Sequence, residues 1–124
     1  MNKFIKSRLK SFSYAFEGWQ NVLRNEPNTW IHALITLLVL LVASWLNLPT
    51  RDWAILALAI SIVWIAEFFN TAIENIVDLA SPTEHPLAKA SKDVAAAGVL
   101  ISALTSISIG LLILGPPLWE KLNL

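Results

Sequence analysis

The N-terminal part of the chain alternates between apolar and polar positions with the period of an α-helix. At about 100° per residue, its apolar side chains fall within an arc of about 80°. They are Ile5, Leu9, Phe12, Phe16, Trp19 and Leu23. The opposite face carries Lys6, Lys10, Ser13, Glu17, Asn21 and Arg24. The pattern predicts an amphipathic helix over residues 3–24 that lies on a membrane, with its basic side toward anionic lipid headgroups.

Three apolar segments follow, and each is long enough to cross a membrane. The first spans residues 31–48, which is about 27 Å of α-helix. The second spans residues 53–80 and exceeds a hydrocarbon core of about 30 Å, so its polar C-terminal end should emerge from the membrane. The third spans residues 87–114, with Pro86 suited to its first turn and the Gly-Pro-Pro sequence at 115–117 expected to end it. The chain is therefore predicted to be an all-α membrane protein with one surface helix and three transmembrane helices.

The composition agrees with a membrane protein of one domain, residues 1–124. Hydrophobic residues make up 56% of the chain, and the mean hydropathy is +0.60. The absence of cysteine excludes disulfides and thiol chemistry. The N-terminus lacks a short apolar core followed by a small-residue cleavage site, so no cleaved signal peptide is expected.

The formal net charge of zero hides an uneven distribution of basic residues. Seven of them precede the first apolar segment or lie between the second and the uncharged run at 94–114 in the third: Lys3, Lys6, Arg8, Lys10, Arg24, Lys89 and Lys92. Only Arg51 and Lys121 fall on the other side. Because basic residues favour the cytoplasmic side, the N-terminus and the loop at 81–92 are predicted to be cytoplasmic.

The most informative polar residues lie on one face of the second apolar segment. Glu67, Asn70, Glu74 and Asp78 fall within an arc of about 80° on an α-helix. Glu67 is expected below the membrane midplane and Glu74 at the cytoplasmic boundary. Such groups could form hydrogen bonds between helices. Three closely spaced carboxylates repel one another, however, and this favours a functional site, most simply one that binds a divalent cation.

A second candidate is Lys92-Asp93, just before the apolar part of the third segment. A lysine near a helix N-terminus is well placed to bind phosphate, although Lys92 could equally serve only to mark the cytoplasmic side. Neither a Walker A sequence nor the glycine-rich loop of protein kinases is present. There is also no stripe of basic and aromatic residues suited to nucleic acid. Together with the acidic face, Lys92 indicates a site for phosphate and metal.

These motifs resemble a known family. The carrying residues are Glu67-Phe68-Phe69-Asn70-Thr71-Ala72-Ile73-Glu74, Val77-Asp78, His85 and Lys92-Asp93-Val94-Ala95-Ala96-Ala97, with Gly18, Asn25-Glu26-Pro27-Asn28 and Ile31-His32 upstream. They are similar to the prokaryotic diacylglycerol kinases, which are small three-helix membrane enzymes. The resemblance covers about residues 11–114, and its E-x-x-N-T-A-I-E run with a downstream Lys-Asp is highly specific.

The resemblance implies transfer of the ATP γ-phosphate to a membrane lipid with Mg²⁺, by a homotrimer in the bacterial inner membrane whose active sites are shared between subunits. It implies that Glu67 is the catalytic base beside Asn70, and that Glu67 and Ala96 contact the lipid. Glu26 and Glu74 would hold Mg²⁺. The residues implied to contact ATP are Tyr14, Glu26, Glu74, Thr83, Glu84, His85, Lys92 and Asp93.

The identity of the lipid and the class of function leave alternatives. Diacylglycerol, giving phosphatidic acid, is the first expectation. Residues 81–89 are more similar to the Gram-positive branch of the family, in which several members phosphorylate undecaprenol instead. A small transporter or proton relay would also need acids within the membrane, and a non-catalytic scaffold could hold a metal. The outer half of the second segment and most of the third are apolar, which disfavours a relay.

Overall fold

The computed structural model describes residues 2–123, and this part of the chain contains four helices and no strand. They are α1 (Lys3–Asn25), α2 (Pro27–Leu46), α3 (Thr50–Ala80) and α4 (Pro86–Lys121). The last three are long and apolar enough to span a membrane. The predicted all-α membrane fold, with one amphipathic helix before three apolar helices, is confirmed.

The first two connections between helices are shorter than the polar breaks in the sequence predicted. Only Glu26 separates α1 from α2, because Pro27 takes the first position of α2, where its missing N–H costs no hydrogen bond. The second connection turns at Asn47, which adopts a left-handed conformation, and α3 begins at Thr50. As a result, α2 starts four residues and α3 three residues before the apolar segments do.

The predicted end of the third apolar segment was wrong. α4 continues through Pro116 and Pro117 to Lys121 instead of stopping at residue 114. Proline already has a helix-compatible φ, and its cost is the backbone hydrogen bond that its missing N–H would make. Spanning helices tolerate this loss where neighbouring groups satisfy the freed carbonyls. The end of α4 is also tied to α2, since Lys121 Nζ donates to the Trp45 carbonyl at 2.6 Å.

α3 is the central helix of the bundle. It packs along most of α4, and α2 contacts both of them. The face of α3 that turns inward carries Leu56, Ala59, Val63, Glu67 and Thr71, all buried and three or four residues apart. The carboxylate of Glu67 therefore continues an apolar stripe instead of facing lipid.

Two hydrogen bonds cross between the helices around this stripe. Trp64 Nε1 donates to Thr36 Oγ1 of α2 at 3.2 Å. Ser106 Oγ of α4 donates to the Ala59 carbonyl at 2.7 Å. Polar side chains in apolar bundles commonly join helices in this way. They fix the position of α3 relative to α2 and α4, and thereby the depth of its polar face.

The surface helix α1 is attached to the bundle by aromatic side chains near its C-terminal end. The Trp19 ring lies 4.8 Å from Trp64 and meets Phe68 edge-on at 4.6 Å, both distances between ring centroids. Trp30 Nε1 also donates to the Leu23 carbonyl at 2.9 Å. The earlier apolar residues of α1 remain exposed, with Phe12 at 75%. One end of α1 is thus docked, while the rest leaves an apolar face uncovered by its own chain.

We predict that Trp19→Ala releases α1 from the bundle. Edge-to-face aromatic contacts contribute about 0.5–1.5 kcal/mol beyond the area they bury. Hydrogen–deuterium exchange of the detergent-solubilised protein should show faster exchange throughout α1 and unchanged exchange in α3 and α4. Phe12→Ala is the matched control, because its ring makes no aromatic contact within residues 2–123. Equal exchange in the two variants would contradict the docking role of Trp19.

Candidate active site

Glu67 is the most buried acidic residue of the polar face, with 5% of its surface exposed. It lies one helical turn after Val63 on the inward stripe of α3. Its Oε1 atom is 2.7 Å from Nε2 of His32, which comes from the second turn of α2. A carboxylate buried among apolar helices requires such a polar partner. The crossing of α2 and α3 therefore creates a fixed carboxylate inside the bundle.

Asn70 and Glu74 continue the polar face toward the cytoplasmic end predicted for α3. The Asn70 side-chain amide donates to Glu74 Oε1 at 3.1 Å, one turn further along. Asn70 Oδ1 is buried without a hydrogen-bond partner in the described part of the chain. Buried acceptors are normally satisfied. This oxygen is therefore a candidate contact for a substrate group.

Glu26 joins this cluster from the connection between α1 and α2. Partial burial, followed by the charges of Glu74 and Glu67, raises the pKa of the Glu26 carboxyl. The fold thus brings together three acidic side chains from two distant parts of the sequence. Carboxylate oxygens are the ligands that hard divalent cations prefer, and a cation between Glu26 and Glu74 would relieve their repulsion. Within residues 2–123, no group of three or more acidic or histidine side chains is arranged to enclose a metal by itself.

Asp78 differs from the other members of the acidic face because it is paired with a lysine. It forms an ion pair with Lys92 at the start of α4. The neighbouring Asp93 is paired with Lys89, at 2.6 Å and one turn away. The expectation that one cation satisfies the whole acidic face therefore does not extend to Asp78. Its charge is matched by Lys92, for which the sequence suggested a phosphate contact or a cytoplasmic position but no partner.

An open cleft of about 850 Å³ lies where the end of α3 meets the start of α4. The loop residues Thr83, Glu84 and His85 line it together with Asp78 and Lys92. His85 also caps α4, since its Nδ1 accepts the Leu87 N–H at 3.1 Å. Five candidate residues from the end of α3, the following loop and the start of α4 thus share one solvent-accessible cleft.

Three candidate residues belong neither to the carboxylate cluster nor to the lining of the cleft. Tyr14 is 57% exposed on α1, with its ring 5.7 Å from Lys10 Nζ. Ala96 is exposed on α4, and Asp93 is held by Lys89 on the same helix. None of the three is among the residues that line the cleft. The fold of a single chain therefore does not place these side chains in the wall of the cleft.

An apolar groove of about 430 Å³ runs between α2, α3 and α4. Its wall is formed mainly by aliphatic side chains, among them Ile35, Val39 and Val63, and it extends to Leu118. His32 also lines the groove, and the same side chain bonds Glu67. Apolar surface thus reaches the residue whose Nε2 lies 2.7 Å from the buried carboxylate.

Sequence reasoning missed the role of His32 in this site. The residue contributed to the family resemblance, but it was not a candidate for the site. An ionisable side chain near the start of a 20-residue apolar helix was the available indication. Its partner could not be identified from spacing, because 35 residues and a turn separate positions 32 and 67.

Comparison with known proteins supports a specific family. A sequence model described as prokaryotic diacylglycerol kinase matches residues 13–114. The chain is 41% identical over 118 residues to undecaprenol kinase of Bacillus subtilis, covering 95% of this chain and 93% of that protein. It is 40% identical over 111 residues to diacylglycerol kinase of Synechocystis, covering 89% and 63% of the two chains.

A more distant relative shows the same relationship. Diacylglycerol kinase of Escherichia coli is 28% identical over 99 residues, which cover 80% of this chain and 81% of that protein. The matched region includes every helix except the ends of α1 and α4, and it contains the carboxylate cluster and the cleft. The chain belongs to the prokaryotic diacylglycerol kinase family.

Proposed function

We propose that this protein is a lipid kinase that transfers the γ-phosphate of ATP to the hydroxyl of a membrane lipid. The observation that carries the proposal is the buried Glu67 carboxylate, which lies where a polar cluster meets an apolar groove. A lipid whose hydroxyl reaches this carboxylate can keep its tail against apolar side chains. The names of the relatives are consistent with this chemistry.

In the proposed reaction, Glu67 accepts the proton of the lipid hydroxyl as its oxygen bonds to the γ-phosphorus. The bond between that phosphorus and the bridging oxygen breaks, and ADP leaves. Phosphoryl transfer demands mainly positioning and charge neutralisation from the protein. Asn70 stands one turn from Glu67, and its unpartnered Oδ1 offers an acceptor to a donor group of the bound lipid.

Glu26 and Glu74 are the proposed ligands of Mg²⁺. Glu26 lies in the connection before α2 and Glu74 on α3, and burial, followed by the charge of Glu74, raises the pKa of Glu26. Two carboxylates with further oxygens from ATP phosphates suit this ion, which is rarely enclosed by protein ligands alone. When bound, Mg²⁺ would neutralise charge that develops on the phosphates.

The cleft beside this cluster is the proposed entrance for ATP. Lys92 can exchange its contact with Asp78 for a phosphate oxygen, because both side chains are partly exposed. Thr83, Glu84 and His85 would contact the rest of the nucleotide. This assignment requires the cleft to face the cytoplasm, as the distribution of basic residues predicts.

An assembly would explain the roles proposed for Tyr14, Asp93 and Ala96. Tyr14 and Asp93 are assigned to ATP and Ala96 to the lipid, but none of them lines the cleft of a single chain. A homotrimer, with α1 lying on anionic headgroups, could bring these side chains to a neighbouring site. The exposed apolar faces of α2, α3 and α4 also leave ample surface for contacts with other copies.

Two lipids remain candidates for the acceptor. Diacylglycerol is supported by the family and by several relatives of that name. Undecaprenol is supported by the Bacillus relative, which matches nearly the whole of both chains. The aliphatic groove would accommodate either tail. Phosphorylation of the two lipids side by side, in identical mixed micelles, would distinguish them.

We predict that Glu67→Gln reduces lipid phosphorylation by on the order of 10²- to 10⁴-fold, because the amide keeps the shape but cannot accept the proton. Labelled ATP and lipid in mixed micelles provide the measurement. Glu120→Gln is the matched control, at the opposite end of the bundle. Turnover close to that of the control would remove Glu67 from the role of base.

We predict that Glu26→Gln and Glu74→Gln each increase the Mg²⁺ concentration needed for half-maximal activity. Each variant loses a charged oxygen ligand. In the unmodified protein the same requirement should rise as pH falls through the raised pKa of Glu26, since protons then compete with the metal. Titrations with Mg²⁺ at several pH values test this, with Glu17→Gln on α1 as control. An unchanged requirement in both variants would refute the metal assignment.

We predict that inactive variants complement each other if sites are shared between subunits. Glu67→Gln chains are mixed with Tyr14→Ala chains, and separately with Lys92→Ala chains, then denatured and reassembled. Activity beyond the sum of the two parents is expected, because some sites would combine intact residues from different chains. If neither mixture exceeds its parents and the protein is active as a detergent-solubilised monomer, the shared trimeric site is excluded.

A further inference from the structure

The side chain of His32 is the polar contact of Glu67 within residues 2–123. Nε2 lies 2.7 Å from Oε1, and the two side chains are 19% and 7% exposed. The contact joins α2 to α3 and is much less exposed than the Asp78–Lys92 pair that joins α3 to α4, whose side chains are 65% and 37% exposed. It is well shielded from water, so it is much stronger than an exposed contact of the same length.

This contact has a consequence for the chemistry of the carboxylate. The terminal torsion of a glutamate has a broad, two-fold preference, so an isolated Glu67 would sample many orientations. A donor at Oε1 fixes the plane of the carboxylate and leaves Oε2 to accept a proton. His32 also lines the apolar groove, so the fixed carboxylate is presented at the groove's polar end.

A purely structural role for His32 accounts less well for its surroundings. Neighbouring helices are already joined by the Trp64–Thr36 and Ser106–Ala59 hydrogen bonds, which use uncharged groups. The residues around His32 on α2, Ile31, Ala33 and Leu34, are all apolar. An imidazole in this stretch is costly in a membrane unless its partner requires it.

We propose that His32 is a positioning residue for the kinase reaction. Its Nε2–H holds Oε1 of Glu67 and thereby directs Oε2 at the hydroxyl of the lipid. The proposal rests on the function proposed above, in which Glu67 is the base. His32 does not contact ATP in this scheme, so its effect should fall on turnover and not on nucleotide binding.

The sharpest test compares two amides at position 32. The side-chain nitrogen of glutamine can occupy the position of Nε2, whereas that of asparagine reaches only as far as Nδ1. His32→Gln should therefore retain most of the turnover. His32→Asn should lower kcat by on the order of 10²-fold, the effect of displacing a reacting group by about 1 Å. The KM for ATP should be the same in both variants and in the unmodified protein.

Several controls separate positioning from folding and from the proposed function. Val22→Ala, which truncates a buried side chain that does not line the groove, reports the effect of altered packing alone. Thermal unfolding of each variant identifies loss of structure, and the comparison rests on Gln and Asn variants of equal thermal stability. If thermal stability and kcat fall together in both His32→Gln and His32→Asn, His32 acts through folding, and the proposal is overturned. Glu67→Gln, assayed in parallel, tests the function itself.

The possible results lead to different conclusions. Low kcat in His32→Asn, with kcat restored in His32→Gln, supports positioning through Nε2. Equal activity of the two amides, whether high or low, overturns the proposal. If Glu67→Gln is fully active, the proposed base is wrong whatever His32 does. If Glu67→Gln is inactive and His32→Asn is fully active, only the positioning role fails.

Discussion

The structure depends on how a carboxylate is accommodated inside an apolar bundle. Glu67 follows Leu56, Ala59 and Val63 on the buried stripe of α3, so it cannot turn toward water without moving the helix. A buried carboxylate without a partner would cost several kcal/mol or lose its charge. His32, which lies on the neighbouring helix α2, offsets much of that cost by contacting the carboxylate. The crossing of α2 and α3 is therefore constrained by chemistry as well as by packing.

Along α3 from Glu67 toward its C-terminal end, the side chains of the acidic face become more exposed to solvent. Glu67 is buried, Asn70 and Glu74 are half-buried one to two turns further along, and Asp78 is exposed beside the open cleft. The apolar groove approaches the same carboxylate from the other direction. A water-soluble phosphate donor and a lipid acceptor can thus meet at one place without either leaving its own phase. This geometry is what the proposed reaction requires.

The sequence predicted the helices and the acidic face because both follow from local periodicity. Hydropathy identified α2, α3 and α4, and the four polar residues of α3 share a face by helical geometry alone. The extension of α4 past Pro116 was missed. Proline is compatible with a helix where the lost hydrogen bonds are tolerated, and the local sequence does not show whether they are. The Asp78–Lys92 pair and the His32–Glu67 contact were not predictable, since both depend on how separate helices pack. The assignment of nucleotide contacts to Tyr14 and Asp93 still rests on resemblance.

The central claim is that ATP and a lipid hydroxyl react with each other at this site. The most direct measurement follows ADP release and phosphorylated lipid together, using purified protein, Mg²⁺ and micelles with or without diacylglycerol or undecaprenol. The account predicts that one of these lipids is phosphorylated in equal amount to the ADP formed, and that little ADP forms without lipid. ADP release that is independent of lipid, or the absence of phosphorylated product with both lipids, would contradict it.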